Sequence, residues 1–194
     1  MLAVATYASV RSANRSARVA EVALQEQRRP VLVNSRTDDR VEAIPFIGGH
    51  WVSIPGGGAS VEAVDDVVYL ALSLRNVGAG IAVLQSWQAH ERLLTSADQQ
   101  QPAADGFRPL TRDQYIAPGS VGVFQAAVRD AADPFHARLS TAARDRLRLT
   151  LDLLYTDQVG GQRTISRFGV MPGDDGGWLA AAGRHWYLDA IAPR

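Results

Sequence analysis

Four histidines, His50, His90, His136 and His185, are the side chains best suited to ligate a metal or move a proton near neutral pH. No two of them stand in a His-x-x-x-His or His-Glu-x-x-His spacing, so no sequence-local metal site is read from them. Cysteine is absent, which removes thiolate ligands, disulfides and a cysteine nucleophile. No Gly-x-Ser-x-Gly elbow occurs, and only a Ser/His/Asp set assembled across strands remains as a hydrolytic site. Gly56, Gly57 and Gly58 lack the Lys-Ser/Thr that closes a phosphate loop and read as a flexible turn. The pairs Asp38–Asp39, Asp65–Asp66 and Asp174–Asp175 have no calcium-loop spacing and fall where turns favour Asp.

One constellation stands out. Arg163, Arg167 and Arg184 lie near Trp178, His185, Trp186 and Tyr187 in what read as the last two strands. If those strands pair, arginine and aromatic side chains share an outer face, where stacking suits recognition of an anion or a partner. Arg163, Arg167, Arg184, His185 and Trp186 are therefore the candidate binding residues. The competing reading is structural, with Trp in the core and Arg solvated or paired with Asp. No catalytic residue, metal ligand or cofactor is assigned.

The elements that position these residues are short and β-rich. Residues 30–34 read as a strand, and 41–54 as a hairpin turning at Gly48 and Gly49, with Pro45 marking an edge. Residues 67–75 are the strongest strand, with Val68, Leu70, Leu72 and Leu74 on the core face. Asn76 to Gly80 is a turn, and residues 81–88 return as a strand. Residues 95–106 read as a loop, and 121–129 as a strand. Asp133 before Pro134 starts a short helix over 133–146, with Phe135, Leu139 and Ala142 on one face. Residues 147–155, 162–170 and 178–188 complete the strands. The pattern predicts an all-β fold, an immunoglobulin-like β-sandwich with an N-terminal α-helix and one short internal helix.

The front of the chain differs from the rest. Residues 1–10 are uncharged and mostly apolar, too short to cross a bilayer. Residues 11–29 continue as a helix that Pro30 ends. One face carries Arg11, Asn14, Arg15, Arg18 and Gln25; the other carries Val10, Ala13, Ala17, Ala20 and Leu24. Residues 1–29 hold five arginines against two glutamates, a net of +3, and the overall charge of zero leaves −3 for the remainder. That balance argues against a nucleic-acid binder. Two units follow: a basic helix, 1–29, and a sandwich domain, 30–192. Residues 1–10 are read as the end of a membrane-spanning helix, with packing on a domain or partner as the alternative. The globular part then faces the cytoplasm at a membrane; the alternative is a cytoplasmic protein.

Residues 9–18, 73–80, 160–168, 176–179 and 184–186 resemble a group of uncharacterised actinobacterial proteins. The resemblance implies a membrane helix followed by a β-sandwich domain, and it brings no activity, substrate or catalytic residue. This chain departs from the pattern by carrying little of the membrane span. The function expected is a non-enzymatic, membrane-proximal binding or scaffold module. It would dock a protein partner through a strand edge or the Arg/aromatic patch, with the N-terminal helix on an anionic membrane surface or a partner. The alternatives are a hydrolytic enzyme with a dispersed site and a structural or oligomerisation role.

Overall fold

The structure is a computed structural model that describes residues 2–94, 98 and 100–189. Positions 95–97 and 99 of the expected loop, and 190–192 of the expected domain, lie outside the described residues. Helix α1 (Leu2–Gln27) leads into strands β1 (Leu32–Asn34), β2 (Glu42–Pro45), β3 (Trp51–Ile54), β4 (Gly58–Val64), β5 (Val67–Asn76) and β6 (Ala82–His90). Then come β7 (Arg108–Ile116), β8 (Val121–Val128), α2 (Pro134–Arg144), β9 (Leu149–Thr156), β10 (Thr164–Pro172) and β11 (Trp178–Tyr187).

Apart from the β2–β3 hairpin, the strands form one antiparallel sheet in the order β1-β5-β4-β11-β10-β9-β6-β7, with β8 on the other edge of β5. The sheet curls over the larger of two apolar clusters. Leu70, Leu72 and Leu74 of β5 face Leu149, Leu151 and Leu153 of β9, together with Phe124, Phe168 and Tyr155, all fully buried. Each such aliphatic side chain stabilises the fold by about 1.5–3 kcal/mol. Strands β4 and β11 meet over a short stretch, Trp178 opposite Ala59 and Leu179 opposite Gly58, with the Ala180 amide donating to the Gly57 carbonyl.

The alternation expected in β5 is present, but its other face is buried as well. Tyr69 and Ala71 lie under the β2–β3 hairpin with Ile44, Phe46, Val52 and Ile54. Gly48 and Gly49 turn this hairpin at positive φ. Two strands absent from the sequence reading are β4 and β7. Asp65 and Asp66 form the two-residue turn from β4 into β5, both at positive φ, as Asp tolerates in a hairpin turn. Gly56 and Gly57 form the expected turn into β4, but a closely packed one: Gly56 is buried, and a Cβ there would lie 2.0 Å from the Arg36 carbonyl oxygen.

Helix α2 begins where Asp133 accepts from the Phe135 amide and Pro134 sets the first turn. It buries Leu139 and Ala142 against the core and fastens His136 Nε2 to the Asp66 carbonyl at 2.8 Å. Helix α1 differs over residues 13–24, which are all exposed, including Val19 and Leu24. No helix among the described residues is long and apolar enough to cross a membrane. The expectation that residues 1–10 end a membrane-spanning helix finds no support in α1, whose 26 residues are divided by Arg11, Arg15 and Arg18.

Strands β7 and β8 are joined by a tight turn at Pro118 and Gly119, yet they do not pair as a hairpin. Asn76, fully buried at the end of β5, takes up the Ile116 carbonyl at the end of β7 and ties in the turn that follows β5. Its amide donates to the carbonyls of Gly80 and Ile116, at 2.7 and 3.0 Å. Its side-chain oxygen accepts from the amides of Val31 and Gly78. The turn reading of residues 76–80 is thus correct, and Asn76 is what the turn is built around. Asn76→Ala leaves several buried polar groups unpaired, each costing about 1–3 kcal/mol. Urea unfolding is expected to show a midpoint lowered by at least ~2 kcal/mol of stability with an unchanged slope; a loss under about 0.5 kcal/mol would contradict this role.

Candidate functional site

The residues singled out in the last two strands are brought close together but not onto one face. Neighbours along a strand point to opposite sides, and β10–β11 pairing sets which side. Ser166 opposes His185, and Ile165 opposes Trp186. A bulge follows between Ser166 and Phe168, so Arg167 on β10 faces both Gly183 and Arg184. Bulges re-aim side chains in this way. Two guanidinium groups stand by the Trp186 ring, Arg167 at 4.8 Å and Arg184 at 5.7 Å from its centre.

Arg167 is already engaged. It forms a two-pronged bond to Asp152 on β9, Nε to Oδ1 at 2.7 Å and a terminal nitrogen to Oδ2 at 2.8 Å. Its other terminal nitrogen reaches the Asp98 carbonyl. Gln88 on β6 donates to Asp152 Oδ2 at 3.0 Å, and His90 Nε2 stands 3.6 Å away, too far for a hydrogen bond. Asp152 is fully buried. Burial pushes its carboxyl up, but the bonds from Arg167, the approach of His90, the Arg167 charge and the Gln88 amide together hold it below the usual carboxylate range. The segment after β6 lies across this face, where Thr150 accepts from the Leu94 amide and donates to the Arg92 carbonyl.

His185 belongs to the interior, not to the patch. Its Nδ1 lies 2.6 Å from Ser166 Oγ, which lies 2.8 Å from the Tyr155 hydroxyl, and that hydroxyl accepts from the Leu32 amide. Because an amide can only donate, the chain runs Leu32 N–H to Tyr155 to Ser166 to His185, the assignment that leaves no hydroxyl unpaired. Burial keeps His185 below its ordinary pKa and pushes Tyr155 up to about 12. Ser166 is fully buried, so this Ser–His contact has no access for a substrate. Arg163 is separate again, paired through two bonds with Asp189, whose carboxyl those bonds hold low.

Elsewhere, His50 stacks on Tyr69 and meets Glu62 at 3.0 Å. Among the described residues, no three His, Asp or Glu side chains gather as a metal-holding group. The acidic pairs all sit in turns, Asp39 bonded to the Arg36 amide and Asp175 to the Gly177 amide.

A groove that the sequence did not announce runs along the seam between β7 and β8. Gln114 on β7 bridges it: its side-chain oxygen accepts from the Gln125 amide at 3.0 Å, and its nitrogen donates to the Gln125 carbonyl at 2.7 Å. One half of the groove, ≈ 390 Å³, is walled by Pro45, Phe46 and Ile47 of the hairpin, floored by Ala126 and Ala127, and carries Arg112 and Arg129. The other half carries Glu42 and Asp113. Arg129 bonds the Ile47 carbonyl, and Arg112 has no polar partner among the described residues. The signal was faint because β7 is mostly exposed and holds charges and Pro109, which masks strand periodicity.

No protein-family model matches the chain, and comparison with curated proteins gives no significant match.

Asp152 gives this face a pH signature. Its folded pKa lies below its unfolded one, so its contribution is present above pH ~4 and is lost as pH falls through the lower folded value. Asp152→Asn leaves Arg167 buried without its counter-charge and is expected to cost about 3–5 kcal/mol at pH 7, with a smaller deficit at pH 3. Urea unfolding at both pH values checks this; a deficit that does not shrink at low pH would rule out the ion pair as its source.

Proposed function

We propose that the protein is a non-catalytic, membrane-proximal binding or scaffold module, with α1 as the tether and the β-domain as the part that binds. The two halves of the curled sheet are the layers of an immunoglobulin-like sandwich in this reading. The observation that carries it is the unpacked state of α1: residues 13–24 leave their side chains in solvent, with Val19 63% and Leu24 50% exposed. A helix that adds nothing to the core is available for something outside it. Its arginines and its apolar side chains suit the surface of an anionic bilayer, where the helix lies in the interface rather than crossing it. The resemblance to proteins with a helix ahead of a β-domain points the same way.

The hydrolytic alternative has less behind it. The Ser166 hydroxyl of the close Ser–His pair is buried, and Arg163 and Arg167 are held by carboxylates within the domain. The patch is thus a brace between strands, and binding falls to the strand edges.

Removing residues 1–27 is expected to leave the thermal midpoint within about 2 °C of the full chain. Sedimentation with phosphatidylserine-containing vesicles is expected for the full chain, weakened by salt and lost on truncation. Equal sedimentation of the truncated chain, or none by the full chain, would overturn the tether.

A further inference from the structure

We propose that the β7–β8 seam is a peptide-docking groove, taking an extended, acidic segment of a partner protein as an added strand on the free edge of β8. The inference rests on the binding-module reading and names its partner class. It starts from which way the β8 backbone points. At the turn below β8, Asn76 exchanges bonds with Ser120 and Gly119. Because hydrogen-bonded positions recur every second residue, the even-numbered residues of β8 face β5. The odd-numbered ones therefore face the seam, as the bonds from Gln125 to Gln114 confirm.

Three consecutive odd positions, Val123, Gln125 and Ala127, thus offer amide and carbonyl groups to the groove. Among the described residues only Gln125 is answered, and by a side chain rather than by a strand. A primary amide presents one donor and one acceptor, as a peptide unit does, so Gln114 occupies the place of one residue of a missing strand. A free strand edge of this kind is a template for another chain, and main-chain bonds along it supply affinity.

Charge selects the occupant. At the Ala127 end of the groove stand Arg112 and Arg129, with no carboxylate lining that half. Arg112 is exposed and has no polar partner among the described residues. The apolar wall of Pro45, Phe46 and Ile47 suits β-branched side chains between the backbone contacts. The fitting segment is extended and alternating, with Asp or Glu at the Arg129 end.

The test pans a random twelve-residue peptide library displayed on phage against the full-length protein. Enrichment of alternating, acidic peptides is expected. A synthetic enriched peptide should bind the full chain in fluorescence anisotropy, with affinity falling at least about fivefold in Arg112→Glu. Ala127→Pro removes an edge amide that β5 does not use, so it should abolish binding while the thermal midpoint shows the fold intact. The chain lacking residues 1–27 should bind equally, which separates this claim from the tether. Loss of vesicle binding with peptide binding intact removes only the tether; peptide binding absent with the tether intact removes only the groove. Lack of enrichment, enrichment of basic peptides, or binding unchanged in both variants overturns the proposal.

Discussion

Two side-chain amides stitch a place where the sheet has no ladder. Strands β7 and β8 follow one another through a tight turn, and a simple hairpin would have closed the curled sheet on itself. Asn76 takes the Ile116 carbonyl at one end of the seam, and Gln114 takes both backbone groups of Gln125 further along. Gly122 leaves room for the buried Ile116 side chain: a Cβ there would lie 2.8 Å from it. Backbone polar groups must be paired wherever water is excluded, and at this seam the pairing comes from side chains. A side chain can swing away at far lower cost than a strand can unzip, so the same device that holds the sheet together leaves one edge of β8 accessible.

The rest of the domain is braced more firmly. Asp152 and Arg167 tie β9 to β10 on the outer face, Gln88 brings in β6, and the Leu32–Tyr155–Ser166–His185 chain runs through the interior from β1 to β11. Both arrangements consume groups that might have done chemistry. A guanidinium held by a buried carboxylate is poorly placed to receive an anion, and a serine in the core cannot meet a substrate. The molecule is rigid where its polar residues are concentrated and open where its surface looks plain.

Much of this architecture was legible in the sequence, and the failures have physical causes. The alternating leucines of β5 and β9, the Gly48–Gly49 hairpin and the Asp133–Pro134 helix start are local signals and were read correctly. Strand β4 was missed because it begins in glycine and ends in turn-forming aspartates. Strand β7 was missed because it is splayed, exposed and charged, so no hydrophobic period survives. The outward pairing of Arg167 and Arg184 with Trp186 followed from strand pairing alone. The placement of His185 beside them did not survive alternation, which sends it inward. Asp152 as partner to Arg167 could not be read, because it depends on a register across two strands. The burial of Tyr69 and Ala71 depends on a hairpin folding over from elsewhere in the chain.

The account turns on the seam being unpaired, and amide hydrogen exchange followed by NMR tests that residue by residue. Along β8, the amides of Phe124, Ala126 and Val128 should be strongly protected by β5, while those of Val123 and Ala127 should exchange orders of magnitude faster. Gln125 should lie between these and join the fast set in Gln114→Ala. Uniform protection along the strand, indifferent to residue 114, would mean that β7 and β8 form an ordinary ladder and that no edge is open.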